Sequence, residues 1–268
     1  IDESHVKDYL STVELSGVGE KHLYNVNMIL KWYLNAVGYN IKKESTIEYL
    51  RKFKNSKSVA HYRKVLYQIK KFLEYYNVAW ASTIKPPKDT VYKPQRVTDD
   101  DIKKALEYFK GNKSELRYKT LIKLGVDSGL RPEEMYQLRP QDIDLDNNTV
   151  YVNHKPEINQ YTKTKESRVS FFTDTTKEVL SDYLKVFNNG VGYGHLFGQS
   201  DIQRAFRGCN IKVKMLRKYF SQKWTRNNGN YQVKEMLMGH SLKKSIDSQH
   251  YCCMSNEEIK TVYDKVMS

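Results

Sequence analysis

Six side chains in this sequence, with one supporting carboxylate, have the types and spacing for acid–base or phosphate chemistry. Arg131 lies in Gly129-Leu-Arg-Pro-Glu-Glu-Met-Tyr-Gln-Leu138, between a helix-ending glycine and a Pro132 suited to the first turn of the next helix. Glu134, three residues on, shares a face with Arg131 and is placed to hold its guanidinium in a bidentate pair. Taken alone, this is better explained by a structural staple between two helices. Lys163 sits in Tyr161-Thr-Lys-Thr-Lys-Glu-Ser-Arg-Val-Ser170, read as the exposed tip of a hairpin. Taken alone, an ordinary charged turn is the better explanation of that run. Lys214 and Arg217 are three apart on one helix face, with Leu216, Tyr219, Phe220 and Trp224 towards the core. His240 follows a glycine at a helix boundary, and Tyr251 stands in polar surroundings rather than in an apolar stripe.

The elements that must position these groups follow from periodicity. Residues 1–84 read as a helical domain, with four helices in residues 1–80. Leu23, Val26, Ile29, Leu30, Leu34 and Val37 recur at helical spacing, as do Val59, Tyr62, Leu66, Ile69, Leu73 and Tyr76; a shorter helix is expected around Thr46–Phe53. The second of these series carries Arg63, Lys64, Lys70 and Lys71 on its other face, a candidate DNA-binding surface. Residues 85–95 hold three of the six prolines and read as an extended linker. Residues 96–268 begin with Thr98 followed by three aspartates, a capping hydroxyl with acids at the positive end of a helix dipole. Helices run to about Leu138. Three short extended runs follow, at Ile143–Leu145, Thr149–Val152 and Arg168–Phe172, with Asn147-Asn148 as the first turn. Helical periodicity returns from Thr175. The expected fold is mainly α, with a helical first domain and a mixed α+β second domain built on one small antiparallel sheet.

Composition narrows the partner. The 268 residues carry a net charge of +14, which points to a polyanion. Residues 1–90 hold 15 basic and 9 acidic side chains, net +6, leaving +8 for the remainder, so both domains are basic. No apolar run is long enough for a membrane span, and IDESHVKDYL lacks the layout of a secretory signal. Cys209, Cys252 and Cys253 form no disulfide framework and no tetrahedral ligand set, so a reducing intracellular setting without a metal site is expected. Gly190-Val-Gly-Tyr-Gly194 lacks the Lys and Ser/Thr of a phosphate-binding loop, and no cofactor is expected.

Arg131, Lys163, Lys214-x-x-Arg217, Gly-His240 and Tyr251 occur in an order that resembles the tyrosine recombinases, or phage-type integrases. The run GLRPEEMYQLRPQDIDLDNNTVYV is similar to the first box of that family. TKTKESRVSF resembles its lysine hairpin, and LMGHS with the following HY its second box. The resemblance covers residues 96–268, and the helical residues 1–84 look like the family's core-binding domain. It implies a site-specific recombinase that cleaves and rejoins DNA through a 3′-phosphotyrosine, without metal or nucleotide. In that scheme Tyr251 is the nucleophile, and Arg131 and Arg217 clamp the non-bridging oxygens. Lys163 is the general acid, with Lys165 as runner-up. His240 binds the phosphate or accepts the tyrosyl proton, and Glu134 orients Arg131. It also implies a clamp around double-stranded attachment sites, four protomers per assembly, and exchange of a C-terminal helix such as residues 256–267.

Two features depart from the family pattern. Lys214 stands where a histidine is usual, which resembles integrases of archaeal viruses and plasmids; it supplies charge but is a poorer base at neutral pH. The step from His240 to Tyr251 is also longer than usual, which leaves Tyr263 as a fallback nucleophile. Tyr263, however, falls in the apolar series Ile259, Val262 and Val266, where core packing is the simpler role. A type IB topoisomerase-like enzyme and a catalytically decayed DNA-binding regulator are the alternative functions.

Overall fold

The structure, a computed structural model, describes residues 1–88, 93–189, 194–240 and 254–267. Tyr251 and the Cys252-Cys253 pair lie outside the described residues. The chain divides into two compact units, Ile1–Pro94 and Gln95–Ser268.

The first unit is built from α1 (Glu3–Leu15), α2 (Glu20–Val37), α3 (Lys43–Ser56) and α4 (Val59–Tyr75), followed by a 3-10 turn at Ala79–Thr83. Asp2 starts α1 by accepting from the backbone N–H groups of Ser4 and His5, and Ser58 starts α4 by accepting from His61. The apolar stripes anticipated on α2 and α4 meet in one core, where Leu30, Tyr33, Leu66, Ile69 and Phe72 are buried. α3 is longer than its apolar spacing suggests, because Lys43 to Ser45 continue the helix on its exposed side beyond Thr46. Thr46 is itself buried and its hydroxyl meets that of Tyr33 at 2.6 Å; burial pushes the Tyr33 phenol up to about 12.

The four basic residues of α4 do not share one situation. Lys64 and Lys71 are exposed, Lys71 lying over the Tyr67 ring, and Arg63 is half-buried. Lys70 instead donates to the carbonyls of Ser82 and Ile84 at 3.3 and 3.1 Å, tying the 3-10 turn to α4. Its ammonium is therefore engaged within the protein rather than displayed on the surface with the others.

In the second unit α5 (Asp99–Tyr108) starts at the capping hydroxyl anticipated at Thr98, which accepts from the Asp101 backbone N–H; the Asp101 carboxylate accepts in return from Thr98, completing a capping box. α6 (Glu115–Ser128) is enclosed on most sides and packs against α8 (Asp174–Asn189) and α10 (Val213–Arg226). Between α6 and α8 lie α7 (Pro132–Gln137) and the sheet β1 (Ile143–Asp144), β2 (Thr149–Val152) and β3 (Arg168–Phe171), antiparallel in the order β1-β2-β3. Val152 pairs with Arg168 and Val150 with Ser170, so those four residues share the face opposite Tyr151 and Val169.

One expectation changes here. Lys163 is not at the tip of a tight hairpin, because residues 153–167 form a folded loop between β2 and β3. A 3-10 turn at Pro156–Ile158 and a bridge between Lys155 and Gln160 shape that loop. Gln160 reaches back to Asp142 and Gln137, and the backbone N–H of Thr162 donates to His154 Nδ1 at 3.1 Å. Lys163 and Lys165 are exposed on this loop, Lys165 in the left-handed region at φ 60°.

Among the described residues the remaining α-helices are α9 (Gln199–Ala205), α11 (Tyr231–Met238) and α12 (Asn256–Met267). α12 lays Ile259, Tyr263, Val266 and Met267 against Phe171, Phe220, Trp224 and Leu237. The Tyr263 hydroxyl donates to the Asp127 carbonyl at 3.0 Å, and burial drives its phenol well above the ordinary range. Such a phenol is a core group and a poor nucleophile.

Gly129 caps α6 in the left-handed conformation at φ 63°, and a Cβ there would stand 2.4 Å from the Phe220 ring. Gly129→Ala is therefore expected to lower stability by at least the roughly 1–3 kcal/mol of a strained backbone position, read as a fall in urea midpoint. An unchanged midpoint would show that α6 ends differently.

Candidate active site

The corner after Gly129 sets the first cation. Arg131 is the residue that precedes α7, Pro132 occupies its first turn, and Glu134 Oε2 accepts the Arg131 backbone N–H at 2.8 Å. The guanidinium then has two anchors: NH1 to Glu134 Oε1 and NH2 to the Gly239 carbonyl, both at 2.8 Å. Gly239 ends α11 in the left-handed conformation at φ 62°, and a Cβ there would fall 2.7 Å from the Arg168 guanidinium. The two helix-ending glycines thus lie at the centre of the site.

Arg217 reaches the same centre from α10. Its NH1 donates to the Gly129 carbonyl at 2.8 Å and its NH2 meets His240 Nε2 at 2.9 Å. His240 Nδ1 in turn lies 2.9 Å from Glu235 Oε2. Arg131, Glu134, Arg217 and His240, spread over more than a hundred residues of sequence, are therefore joined by direct hydrogen bonds or through one backbone carbonyl. Lys214 is exposed one turn before Arg217 on α10, and Lys163 is exposed on the 153–167 loop. Neither takes part in these bonds.

The bidentate partner of Glu134 is not the one expected from spacing. Arg168, at the start of β3, gives NH1 to Oε1 at 3.0 Å and NH2 to Oε2 at 2.7 Å, while its Nε donates to the Leu237 carbonyl at 2.9 Å. Arg131 shares only Oε1 with its side chain. All three nitrogens of the Arg168 guanidinium are engaged inside the protein, which suits an anchor. Arg131 and Arg217 each use NH1 and NH2 once, leaving further donors of their five without a bond among the described residues.

Arg168 and Glu235 were not singled out from the sequence. Arg168 had a signal: alternation on β3 places it on the same face as the buried Ser170, and a charge on such a face requires a partner. Glu235 had none, since a five-residue step to a histidine past the helix end matches no helical spacing.

The electrostatics are those of an incompletely neutralised cluster. Glu134 is only 4 % exposed. Burial pushes its carboxyl up, but Arg168 and Arg131 outweigh this and hold it below the ordinary glutamate range. Arg217 is lowered to about 10, first by burial and then by repulsion from Arg131. Three guanidinium groups face two carboxylates here, an arrangement that an added anion stabilises. Among the described residues no group of His, Cys, Asp or Glu is arranged to hold a metal ion.

Because the folded state lowers the Glu134 pKa, its contribution to stability is complete above the unfolded value of about 4.3 and is lost as pH falls through the lower folded value. Glu134→Gln should cost about 3–5 kcal/mol at neutral pH by leaving Arg168 and Arg131 short of a charge. That deficit should shrink in acid, as read by unfolding of both proteins across pH. A deficit that is constant into the acid range would contradict this reading.

Comparison with known proteins accords with this geometry. Residues 95–258 match the phage integrase family. A tyrosine recombinase XerA from Saccharolobus solfataricus is 29 % identical over 224 residues, covering 80 % of this chain and 70 % of that protein. Among solved structures, lambda integrase bound to DNA superposes with a TM-score of 0.70 at 14 % identity, over 95 % of this chain and 99 % of that one. A lambda integrase tetramer bound to a Holliday junction gives 0.69 at 14 % identity, over 89 % and 77 %. These likenesses establish the fold, mainly helical with one small antiparallel sheet. With the ordered motifs and the family match, they place this chain in the phage integrase family: it is a tyrosine recombinase, an enzyme that cleaves and rejoins DNA.

Proposed function

We propose that this recombinase clamps the scissile phosphate of a DNA attachment site between Arg131 and Arg217 and attacks it with Tyr251. The observation that carries the proposal is the pairing of those two guanidinium groups. Each is tied back by the carbonyl of a helix-ending glycine, and they lie close enough for Arg131 to weaken the hold of Arg217 on its proton. A phosphodiester gains negative charge on its non-bridging oxygens as it becomes pentavalent, so cations held in this way favour the transition state over the ground state.

In the proposed step the Tyr251 oxygen forms a bond to phosphorus and the bond from phosphorus to the 5′ oxygen breaks. The phenolic proton passes to His240 Nε2, and the leaving oxygen takes a proton from Lys163. Lys165 is the alternative donor on the same exposed loop. The 153–167 loop supports this role by keeping both lysine side chains accessible on a backbone tied to Asp142 and Gln137. Lys214 supplies charge at the margin of the site, and Glu134 orients Arg131. Religation runs the same steps backwards from the 3′-phosphotyrosine.

Arg63, Lys64 and Lys71 are the proposed phosphate contacts of the first unit, with Lys70 supporting the turn behind them. Assembly as a tetramer on two sites is part of the proposal, supported by the lambda integrase tetramer on a Holliday junction. Exchange of α12 between protomers would require that helix to leave the pocket in which Ile259 and Tyr263 are buried. No observation favours the topoisomerase-like alternative. The mutual hydrogen bonding of Arg131, Glu134, Arg217 and His240 speaks against a decayed site.

The test is a nicked suicide duplex of the attachment sequence, which traps the covalent intermediate. Wild-type protein should give a protein–DNA adduct and Tyr251→Phe none. Arg217→Lys should slow adduct formation by on the order of 10²–10³. An adduct formed by Tyr251→Phe would overturn the nucleophile assignment.

A further inference from the structure

Glu235 lies on α11 beside the site, with no part in the chemistry described above. Its carboxylate Oε2 is 2.9 Å from His240 Nδ1, and its backbone carbonyl accepts the His240 backbone N–H at 3.0 Å across the Gly239 turn. The Glu235 side chain is 17 % exposed against 40 % for His240, so the carboxylate stands behind the imidazole, away from solvent. On the other side of the ring, His240 Nε2 meets Arg217 NH2 at 2.9 Å.

These contacts determine which ring nitrogen carries the proton. A guanidinium only donates, so Nε2 must be the acceptor in its bond with Arg217. The proton of the neutral ring is then on Nδ1, where the Glu235 carboxylate accepts it. This is the less common imidazole tautomer in solution, and it leaves the Nε2 lone pair on the side of the arginine that is to hold the phosphate.

We infer that Glu235 is a positioning residue for strand cleavage, fixing His240 as the Nδ1–H tautomer and stabilising the imidazolium formed when Nε2 takes the proton of Tyr251. The inference rests on the reading of His240 as acceptor of that proton. In the step, Arg217 NH2 passes from Nε2 to a phosphate oxygen, and Nε2 becomes free to receive the phenolic hydrogen as the tyrosine–phosphorus bond forms. The carboxylate stays ionised throughout, so the new positive charge on the ring has a partner 2.9 Å away. Lys214, one turn before Arg217 on α10, is a poorer base at neutral pH, which leaves His240 as the imidazole bonded to Arg217.

Two variants test this in the full-length chain. Glu235→Leu removes both the hydrogen bond and the charge, whereas Glu235→Gln keeps an acceptor for Nδ1–H. Long-range 1H–15N spectra of histidine-labelled protein should show the Nδ1–H tautomer for His240 in wild type and in Glu235→Gln, and its loss in Glu235→Leu. Adduct formation on the suicide duplex should fall about ten- to a hundredfold in Glu235→Leu with DNA affinity unchanged, and recover only in part in Glu235→Gln, which restores the tautomer but not the charge. An Nε2–H ring in wild type, or a folded Glu235→Leu protein that cleaves at the wild-type rate while His240→Ala does not, would overturn the inference alone. Wild-type cleavage by His240→Ala would remove the reading of His240 and the inference with it.

Discussion

A single buried carboxylate organises the candidate active site. Glu134 has almost no access to water, and an ionised group in that position costs several kcal/mol unless other charges and donors replace its hydration. Arg168 meets both of its oxygens, the Arg131 guanidinium shares one, and the Arg131 backbone takes the other. Satisfying one charge therefore ties β3 to α7, and through the Leu237 and Gly239 carbonyls ties both to the end of α11. The requirement is geometric as well as energetic. A fork-shaped guanidinium on each side of the carboxylate leaves little freedom in where Arg131 can stand.

From that anchor the rest of the site follows in two directions. The carbonyls of Gly129 and Gly239 are acceptors that helices leave unpaired at their ends, and here each receives one arginine. Both glycines adopt left-handed backbone and both stand against side chains that leave no room for a Cβ, Phe220 in one case and Arg168 in the other. Arg217 and Arg131 are thereby held close together despite their repulsion, and the lowered Arg217 pKa reflects that proximity together with burial. In the proposed mechanism a phosphate entering between them relieves that repulsion and takes up donors that Arg131 and Arg217 do not use within the protein. On that reading the fold favours the charge that develops during cleavage.

Much of this was legible in the sequence because it is local. Gly129 and Pro132 mark a helix–helix corner, Thr98 and the three aspartates after it mark a helix start, and Asn147-Asn148 mark a turn with Asn148 at φ 51°. The periodicity that put Tyr263 in the core rather than at the reaction centre is likewise a property of one helix. What was misread or missed depends on distant partners. Spacing offered Arg131 as the bidentate partner of Glu134, but Arg168 arrives from a strand 34 residues away. Lys70 looked like its neighbours on α4 until the carbonyls of Ser82 and Ile84 came back to meet it. The lysine loop looked like a hairpin tip because its tethers, Asp142 and Gln137, precede β2.

The central claim is that Arg131 and Arg217 act by neutralising one phosphate, and a substrate that lacks the charge tests it most directly. Adduct formation can be measured on two suicide duplexes, one with the natural phosphodiester and one with an uncharged methylphosphonate at the scissile position. Arg217→Ala should be severely impaired on the phosphodiester and recover on the methylphosphonate, where there is less charge to neutralise. Equal impairment on both duplexes would contradict the account and make Arg217 a residue that shapes the site without holding the phosphate.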